Sequence, residues 1–287
     1  MNKTKIEWCD YTWNPVHGCN FGCDYCYARG IASRYGLRDR EGHLIEMDEP
    51  VVFNPDTHPH AAYPFGFTPT FRPERLGDPA KKTKGAKIFV TSMGDLFGDW
   101  VPADWIRQVF DVCQQAPQHT FMFLTKNPGR FQQWSPEYTV RDHAAHISNA
   151  WFGFTATCQA DLDKRAFAAR YFPRNTFISI EPLHGPINLK RIDPPEVEAY
   201  LDFTDGGQYW FMGGDKCGKR LKWVIIGAES GKGSNRVVPK AEWVADIVAQ
   251  CATAGIPVFM KDSLLPIVGK NNMLRQWPQA MEDKRDS

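Results

Sequence analysis

The chain has 287 residues, 43% of them hydrophobic and 23% charged, the content of a folded globular protein rather than a disordered one. Lys and Arg total 34 against 33 Asp and Glu, a formal net charge of +1, so there is no global basic field and any nucleic-acid contact must come from a local patch. Apolar runs fall short of the ~20 residues of a membrane helix, and Met1-Asn2-Lys3-Thr4-Lys5 opens no secretory signal, so a cytoplasmic protein with no membrane partner is expected.

In chain order, the first feature is a cluster of thiols. Cys9, Cys19, Cys23 and Cys26 fall close together, whereas Cys113, Cys158, Cys217 and Cys251 are scattered singly. In a reducing compartment such cysteines read as thiols or metal ligands rather than disulfides. Residues 37–86 follow, rich in Pro, His and charge, with the basic run Lys81-Lys82-Thr83-Lys84. The pattern then predicts a strand over Lys87–Ser92, ending in Met93-Gly94-Asp95. A helix over Pro102–Gln115 follows from the spacing of Trp105, Ile106, Val109, Phe110 and Cys113. Thr120–Thr125 is a strand stopped at Asn127-Pro128-Gly129, and Trp151–Thr157 is a strand followed by a helix from Asp161 to Phe172. Asn175–Ile180 is a strand closed by Glu181-Pro182, and Leu221–Ile226 one closed by Gly227. Lys240–Ala254 reads as a helix and Ile256–Met260 as a last strand. Between them, residues 190–220 carry Pro194-Pro195, Gly206-Gly207, Gly213-Gly214 and the aromatics Tyr209, Trp210 and Phe211. Long insertions of this kind are commonly lids or surface excursions.

Several strands are continuous apolar runs, as expected of a parallel sheet covered by helices. Alternating β and α units predict a parallel α/β fold, and the lack of a G-x-G-x-x-G loop after the first strand favours a full or partial (β/α) barrel over an open doubly wound sheet. The expected division is a barrel over residues 1–270, with insertions 37–86 and 190–220 after the first and fifth core strands, and a tail over 271–287. In either architecture chemistry gathers at the carboxyl ends of strands, here Asp95, Thr125-Lys126, Thr155–Thr157, Glu181, Glu229-Ser230 and Lys261-Asp262.

Cys19, Cys23 and Cys26 are spaced C-x3-C-x2-C. Thiolates are soft ligands that suit zinc, copper(I) and iron–sulfur clusters. A closed zinc site needs a fourth ligand, for which Cys9 and His17 are the nearby candidates; a cluster held by three cysteines instead keeps one iron open.

This spacing, with aromatic Tyr25 just before the last cysteine, resembles the signature of the radical S-adenosylmethionine enzymes. More narrowly, the chain resembles a phage- and prophage-associated family of radical S-adenosylmethionine-like proteins with no assigned reaction. The matching stretches are Lys5-Ile6-Glu7-Trp8-Cys9-Asp10, Thr12-Trp13-Asn14-Pro15, Gly18-Cys19, Ser92-Met93-Gly94-Asp95-Leu96-Phe97, Leu124-Thr125-Lys126-Asn127-Pro128, Glu181-Pro182-Leu183 and Ile226-Gly227-Ala228-Glu229-Ser230-Gly231. The resemblance implies a radical S-adenosylmethionine barrel in which Cys19, Cys23 and Cys26 bind a [4Fe–4S] cluster. Its open iron would chelate S-adenosylmethionine, and one electron would release methionine and a 5′-deoxyadenosyl radical that takes hydrogen from a substrate. Tyr25 would pack on the adenine. Met93, Gly94 and Asp95 stand where that superfamily has Gly-Gly-Glu to hold the ammonium, with a capping role as the alternative for Asp95. Thr155 and Thr157 would meet the ribose, with a bond to backbone as the alternative; Glu181 would bond ribose or neutralise a basic neighbour; Gly227 and Glu229 would meet the adenine, with a glycine bend needed for packing as the alternative. Lys126 and Lys261 would touch the carboxylate or an anionic substrate, and Cys158 or Cys217 would donate a hydrogen atom. A flavodoxin or ferredoxin would supply electrons.

A nucleobase-containing substrate, nucleotide or nucleic acid, is expected from three features. Arg72, Arg75, Lys81, Lys82, Lys84 and Lys87 face only Glu74 and Asp78 in sequence. The 190–220 insertion mixes aromatics with Lys216, Lys219, Arg220 and nearby Lys222, suited to stacking bases and holding phosphate. The phage association adds base modification or repair. A peptide or small metabolite fits a barrel as well, and the rival class is a non-enzymatic binding protein stapled by zinc or a closed cluster.

Overall fold

The computed structural model describes residues 1–57, 61–133, 138–173, 175–193, 195, 202–203, 221–229 and 236–282, together with the backbone of 209–210 and 216–217. Its frame is an eight-stranded sheet: β1 (Asn2–Lys3), β2 (Tyr11–Trp13), β3 (Lys87–Val90), β4 (Thr120–Thr125), β5 (Ala150–Thr155), β6 (Asn175–Ile180), β7 (Leu221–Ile226) and β8 (Val258–Met260). The strands lie side by side in chain order. From β2 to β8 every neighbour is parallel, while β1 is antiparallel to β2. β1 and β8 are the outer strands and do not pair with each other, so this is a mixed α/β fold on a mostly parallel sheet that does not close.

Side chains of opposite parity on these strands enter two different cores. Phe121, Phe123, Phe152, Phe154, Ile178, Ile180, Val224 and Ile226 join the buried faces of α2 (Ala103–Gln115), α4 (Gln159–Ala169) and α5 (Ala241–Ala254) in one cluster. The alternate residues Phe89, Met122, Trp151, Phe177, Trp223, Ile225 and Phe259 form a second, smaller core with Trp8 and Met281. The long helices therefore cover one face, and the other is lined by large apolar side chains that the chain's two ends cover. Residues beyond 270 take part in this: Met260 N–H donates to Leu274 O (2.8 Å), Gln276 N–H to Val258 O (3.0 Å), and the Trp277 ring lies 5.0 Å from Trp223.

Strand ends depart from the predicted ones where the backbone turns. Predicted Lys87–Ser92 stops at Val90 because Thr91 takes a positive φ of 58°. Predicted Trp151–Thr157 runs over Ala150–Thr155, and the helix after it begins at Gln159. The 37–86 insertion is anchored rather than loose: Val51–Val52 pairs with Thr70–Phe71, which pairs with Val16–His17 beside the cysteine loop. In the 190–220 insertion, Pro194, Gly206-Gly207, Phe211, Gly213-Gly214, Lys219 and Arg220 lie outside the described residues. Tyr209–Trp210 and Lys216–Cys217 are described as a two-stranded antiparallel ribbon only. Among the described residues no helix is long and apolar enough to cross a membrane.

Candidate functional site

A cavity of about 590 Å³ opens at the carboxyl ends of the strands and reaches down the inner face of the sheet. The cysteine loop forms one wall. It leaves Val16–His17 and ends at α1 (Tyr27–Tyr35), whose N-cap is Cys26 with Sγ accepting from Arg29 N–H (3.4 Å). Two glycines let the loop sit against the end of β3. Gly18 N–H donates to Met93 O (2.9 Å), and a Cβ on Gly94 would stand 2.5 Å from Gly18 O. Gly18 itself has φ +88° and its Cβ would meet Thr68 O at 2.3 Å, so neither position accepts a side chain. Gly94 thus serves first as a place of close backbone approach.

Cys19, Cys23 and Cys26 are free thiols, half-buried, on the cavity wall. Burial pushes the Cys19 thiol up to about 12. The three sulfurs do not all lie within 4.8 Å of one another. The fourth ligands weighed for zinc are elsewhere: Cys9 lies in the inner core with Sγ 3.8 Å from Ile6 O, and the His17 ring meets Tyr63 edge-on at 5.3 Å. The loop does suit a group larger than one ion, since three thiols from one short segment face a common space.

Lys126, at the end of β4, reaches into that space. Its Nζ lies 2.8 Å from Cys23 Sγ, bonds the Tyr25 hydroxyl and sits 4.5 Å above the Tyr25 ring. Burial alone would lower this ammonium, but the Cys23 and Tyr25 contacts outweigh it and hold it above the ordinary lysine range. Asp95 fixes the same strand end. Its carboxylate accepts from Thr125 Oγ1 (2.8 Å), Lys126 N–H (2.8 Å) and Phe97 N–H (3.0 Å). Burial pushes this carboxyl up, against the three donors that favour its charged form. Asp95 thus borders the cavity with its carboxylate tied to the end of β4 and to its own turn, the capping role given above as its alternative.

On the far side Glu181 and Lys261 form an ion pair, with Glu7 3.9 Å from the same ammonium. Burial raises the Glu181 carboxyl, and Lys261 pulls it back. Gly227 does not border the cavity: a Cβ there would lie 3.0 Å from Glu181 Cγ and Cδ, so its bareness makes room for that carboxylate. Glu229 lines the cavity and lies 3.3 Å from His184 Nε2, whose ring stands edge-on to Tyr25 at 5.5 Å. Thr155 faces the cavity, whereas Thr157 lies beyond the strand and binds Asp161 through its hydroxyl (2.7 Å) and N–H (3.0 Å), a local link to α4 rather than a ligand contact. Cys158 is the N-cap residue of α4 and does not border the cavity; the side chain of Cys217 lies outside the described residues.

The cavity thus gathers Tyr25, Met93, Gly94, Asp95, Lys126, Thr155, Glu181, Glu229 and Lys261 with the three cysteines. It also uses groups that sequence reasoning passed over. Asn14 Oδ1 accepts from Ser92 Oγ (3.1 Å) and Met93 N–H (3.0 Å), and Tyr27 donates to Ser92 O (2.6 Å). Glu7, Asn14 and Ser92 sit inside the stretches quoted above for the family resemblance, which was the available signal; His184 has none. The basic stretch, by contrast, divides between the two ends of the sheet: Arg72 N–H donates to Pro15 O (2.7 Å) and Arg75 to Asn14 O (3.2 Å) just past β2, while Lys82 and Lys87 lie at the other end. Lys82 Nζ lies 4.4 Å over the ring of Tyr11, the first residue of β2, and Gln118, two residues before β4, bonds Lys82 O. Arg72 is buried against Glu74 and the Phe53 ring, and Lys87 is buried over Trp277.

No curated protein and no solved structure matches the chain. One family does: residues 3–270 match the family described as a protein of unknown function, DUF5131, and the chain belongs to it.

Proposed function

We propose that the protein is a radical S-adenosylmethionine enzyme built on a partial (β/α) barrel, with Cys19, Cys23 and Cys26 holding a [4Fe–4S] cluster. The observation that carries the reading is the meeting of the three spaced thiols with Tyr25, Lys126, Glu181 and Lys261 on one cavity at the carboxyl ends of parallel strands. The barrel part rests on strand order: parallel strands paired in sequence, with the long helices on one face, are the arrangement that curls a sheet into a barrel. When bound, the cluster would supply the electron that cleaves S-adenosylmethionine into methionine and a 5′-deoxyadenosyl radical.

The chain's own residues then have separate tasks. The Gly18–Gly94 approach holds the cysteine loop against β3. Asp95 pins Thr125 and Lys126, and Lys126 in turn places a positive charge on Cys23 and Tyr25. The Glu181–Lys261 pair offers one acceptor and one donor on the opposite wall. The rival reading is a zinc-stapled binding protein, for which Cys9 and His17, the fourth ligands weighed, are engaged elsewhere. Anaerobic purification tests both. A brown protein with near-stoichiometric iron and sulfide, bleached by dithionite and forming 5′-deoxyadenosine, is expected. Cys19→Ala, Cys23→Ala and Cys26→Ala should each lose the iron, and Cys113→Ala and Cys251→Ala, buried in the helix-side core, should keep it. A colourless protein with one zinc per chain would overturn the proposal.

A further inference from the structure

Helix α1 has one covered face and one bare one. Ala28 and Ala32 are buried with Phe67 and Met93. Tyr27, Ile31, Arg34 and Tyr35, spaced i, i+4, i+7 and i+8, share a second face. Tyr27 is 50%, Ile31 37% and Tyr35 60% exposed. Single apolar side chains on a surface are ordinary, but a row of them along one short helix is the mark of a docking face. The row starts at the cavity, since Tyr27 lines it and donates to Ser92 O. The charge around it is one-sided. α1 contains Arg29 and Arg34 and no acidic residue, and Arg38 and Arg40 follow it. Arg34, Arg38 and Arg40 are exposed and in no ion pair with a described residue; Arg38 donates to the backbone at Ser33 O and Gly42 O. The nearby carboxylates of Asp39 and Glu41 turn instead to His43, at 3.5 and 3.6 Å. A second copy of the chain seated here would set arginine against arginine, so the face suits a partner rich in carboxylates.

We propose that this face of α1 docks an acidic one-electron carrier protein, which reduces the cluster from the outer side of the cysteine loop. The inference rests on the function proposed above, whose reaction consumes one electron from outside the chain. The carrier's reduced centre gives up that electron and the cluster accepts it, with no bond made or broken. Position is the reason for choosing a carrier: Cys26 is the N-cap of α1, and Gly22 and Asp24 of the cysteine loop are exposed. The nine residues of α1 span only roughly 13 Å, so a protein seated on them also covers the loop. Electron-transfer encounters are small and guided by charge, which is what a short row of apolar side chains ringed by arginines offers.

The test uses a purified flavodoxin, a small acidic flavin protein, against the cluster-loaded chain. Calorimetry gives the affinity at 50 and 200 mM salt, and stopped-flow absorbance gives the rate at which reduced flavodoxin bleaches the cluster, with dithionite as the small reductant that needs no docking. Flavodoxin affinity should fall about fivefold or more between the two salts. The double variant Arg34→Glu with Arg40→Glu should lower affinity and bleaching rate about tenfold at 50 mM salt and remove most of the salt dependence. Tyr35→Ser should lower affinity about fivefold at both salts, because its contribution is apolar. All of these variants should bleach with dithionite as the unaltered chain does. No flavodoxin binding, binding indifferent to salt or to the arginines, or dithionite bleaching slowed as much as flavodoxin bleaching would each overturn the proposal. A short single-stranded oligonucleotide that binds more tightly than flavodoxin, and is lost in the same double variant, would overturn it in favour of nucleic acid. A chain without iron and sulfide overturns the function proposed above, whereas a loaded, dithionite-bleached chain indifferent to flavodoxin overturns the docking alone.

Discussion

Replacing Asp95 with Asn alters one atom of a buried junction that ties its own turn to the end of β4. The carboxylate accepts from the Thr125 hydroxyl on β4, from Lys126 N–H beyond it, and from Phe97 N–H in its own turn. An amide offers a single acceptor oxygen and places an NH₂ where the second oxygen met a donor. One of the N–H groups of Lys126 or Phe97 then loses its acceptor in a site where Asp95 is only 5% exposed. A hydrogen bond to a charged acceptor is worth ~1.5–3 kcal/mol and an unsatisfied buried donor costs ~1–3 kcal/mol, so with partial overlap the loss should be roughly 2–4 kcal/mol. For a chain of this size that corresponds to a fall in Tm of about 5–10 °C, read by calorimetry. Lys126 should also lose its fixed approach to Cys23, so alkylation of Cys23 in the metal-free protein should change in rate while Cys251, buried in the helix-side core, stays unreactive. An unchanged Tm together with weakened S-adenosylmethionine binding would refute this reasoning and return Asp95 to the role of a direct ligand.

Gly94→Ala puts a methyl group 2.5 Å from Gly18 O, so the cysteine loop must move; a loss of roughly 1–3 kcal/mol in urea unfolding and a lowered iron content on reconstitution are expected. Lys126→Met keeps length but removes the ammonium beside Cys23. With the cluster loaded, the reduction potential should become more negative in an electron paramagnetic resonance titration, since hydrogen bonds to cluster sulfurs help set it. An unaltered potential would show that the contact does not persist there. Asp161 is held below the ordinary aspartate range: burial works against this, but the Thr157 hydroxyl and N–H and the Arg165 charge prevail. Its folded pKa is depressed, so the stabilisation is present above the unfolded aspartate value of ~3.9 and is lost as pH falls through the lower folded one. Asp161→Asn should therefore flatten the acid side of the stability–pH curve below about pH 4 and lower stability at pH 7.

Most of the sheet was legible because its strands carry apolar residues on both faces. Thr120–Thr125, Asn175–Ile180 and Leu221–Ile226 fall where the runs predict them, since each face has its own core to enter. The cysteine loop was legible from spacing alone. What stayed hidden depends on distance along the chain. His184 meets Glu229 across 45 positions, and Asp262 N–H meets Glu7 across 255, so neither pairing leaves a local pattern. Asp95 and Thr157 kept two readings in the sequence for one physical reason: a polar residue at a strand end can serve a ligand or the neighbouring chain, and only the surrounding groups, remote in sequence for Asp95, show which contacts it makes. Sequence shows the charge of the basic run without the end of the sheet on which Lys82 and Lys87 fall.

The second, smaller core has a consequence for how the molecule comes into being. Each strand pairs with the one made just before it, so the sheet can lengthen strand by strand as the polypeptide leaves the ribosome. The inner apolar layer cannot, because it needs Trp8 from the beginning of the chain and Trp277 and Met281 from near its end. A nascent chain stopped before β8 would already carry its thiols but would lack part of the apolar lining beneath the cavity. Reactive sulfur would then exist before its shelter is complete, which makes late synthesis the interval in which oxidants or stray metal ions reach the thiols most easily.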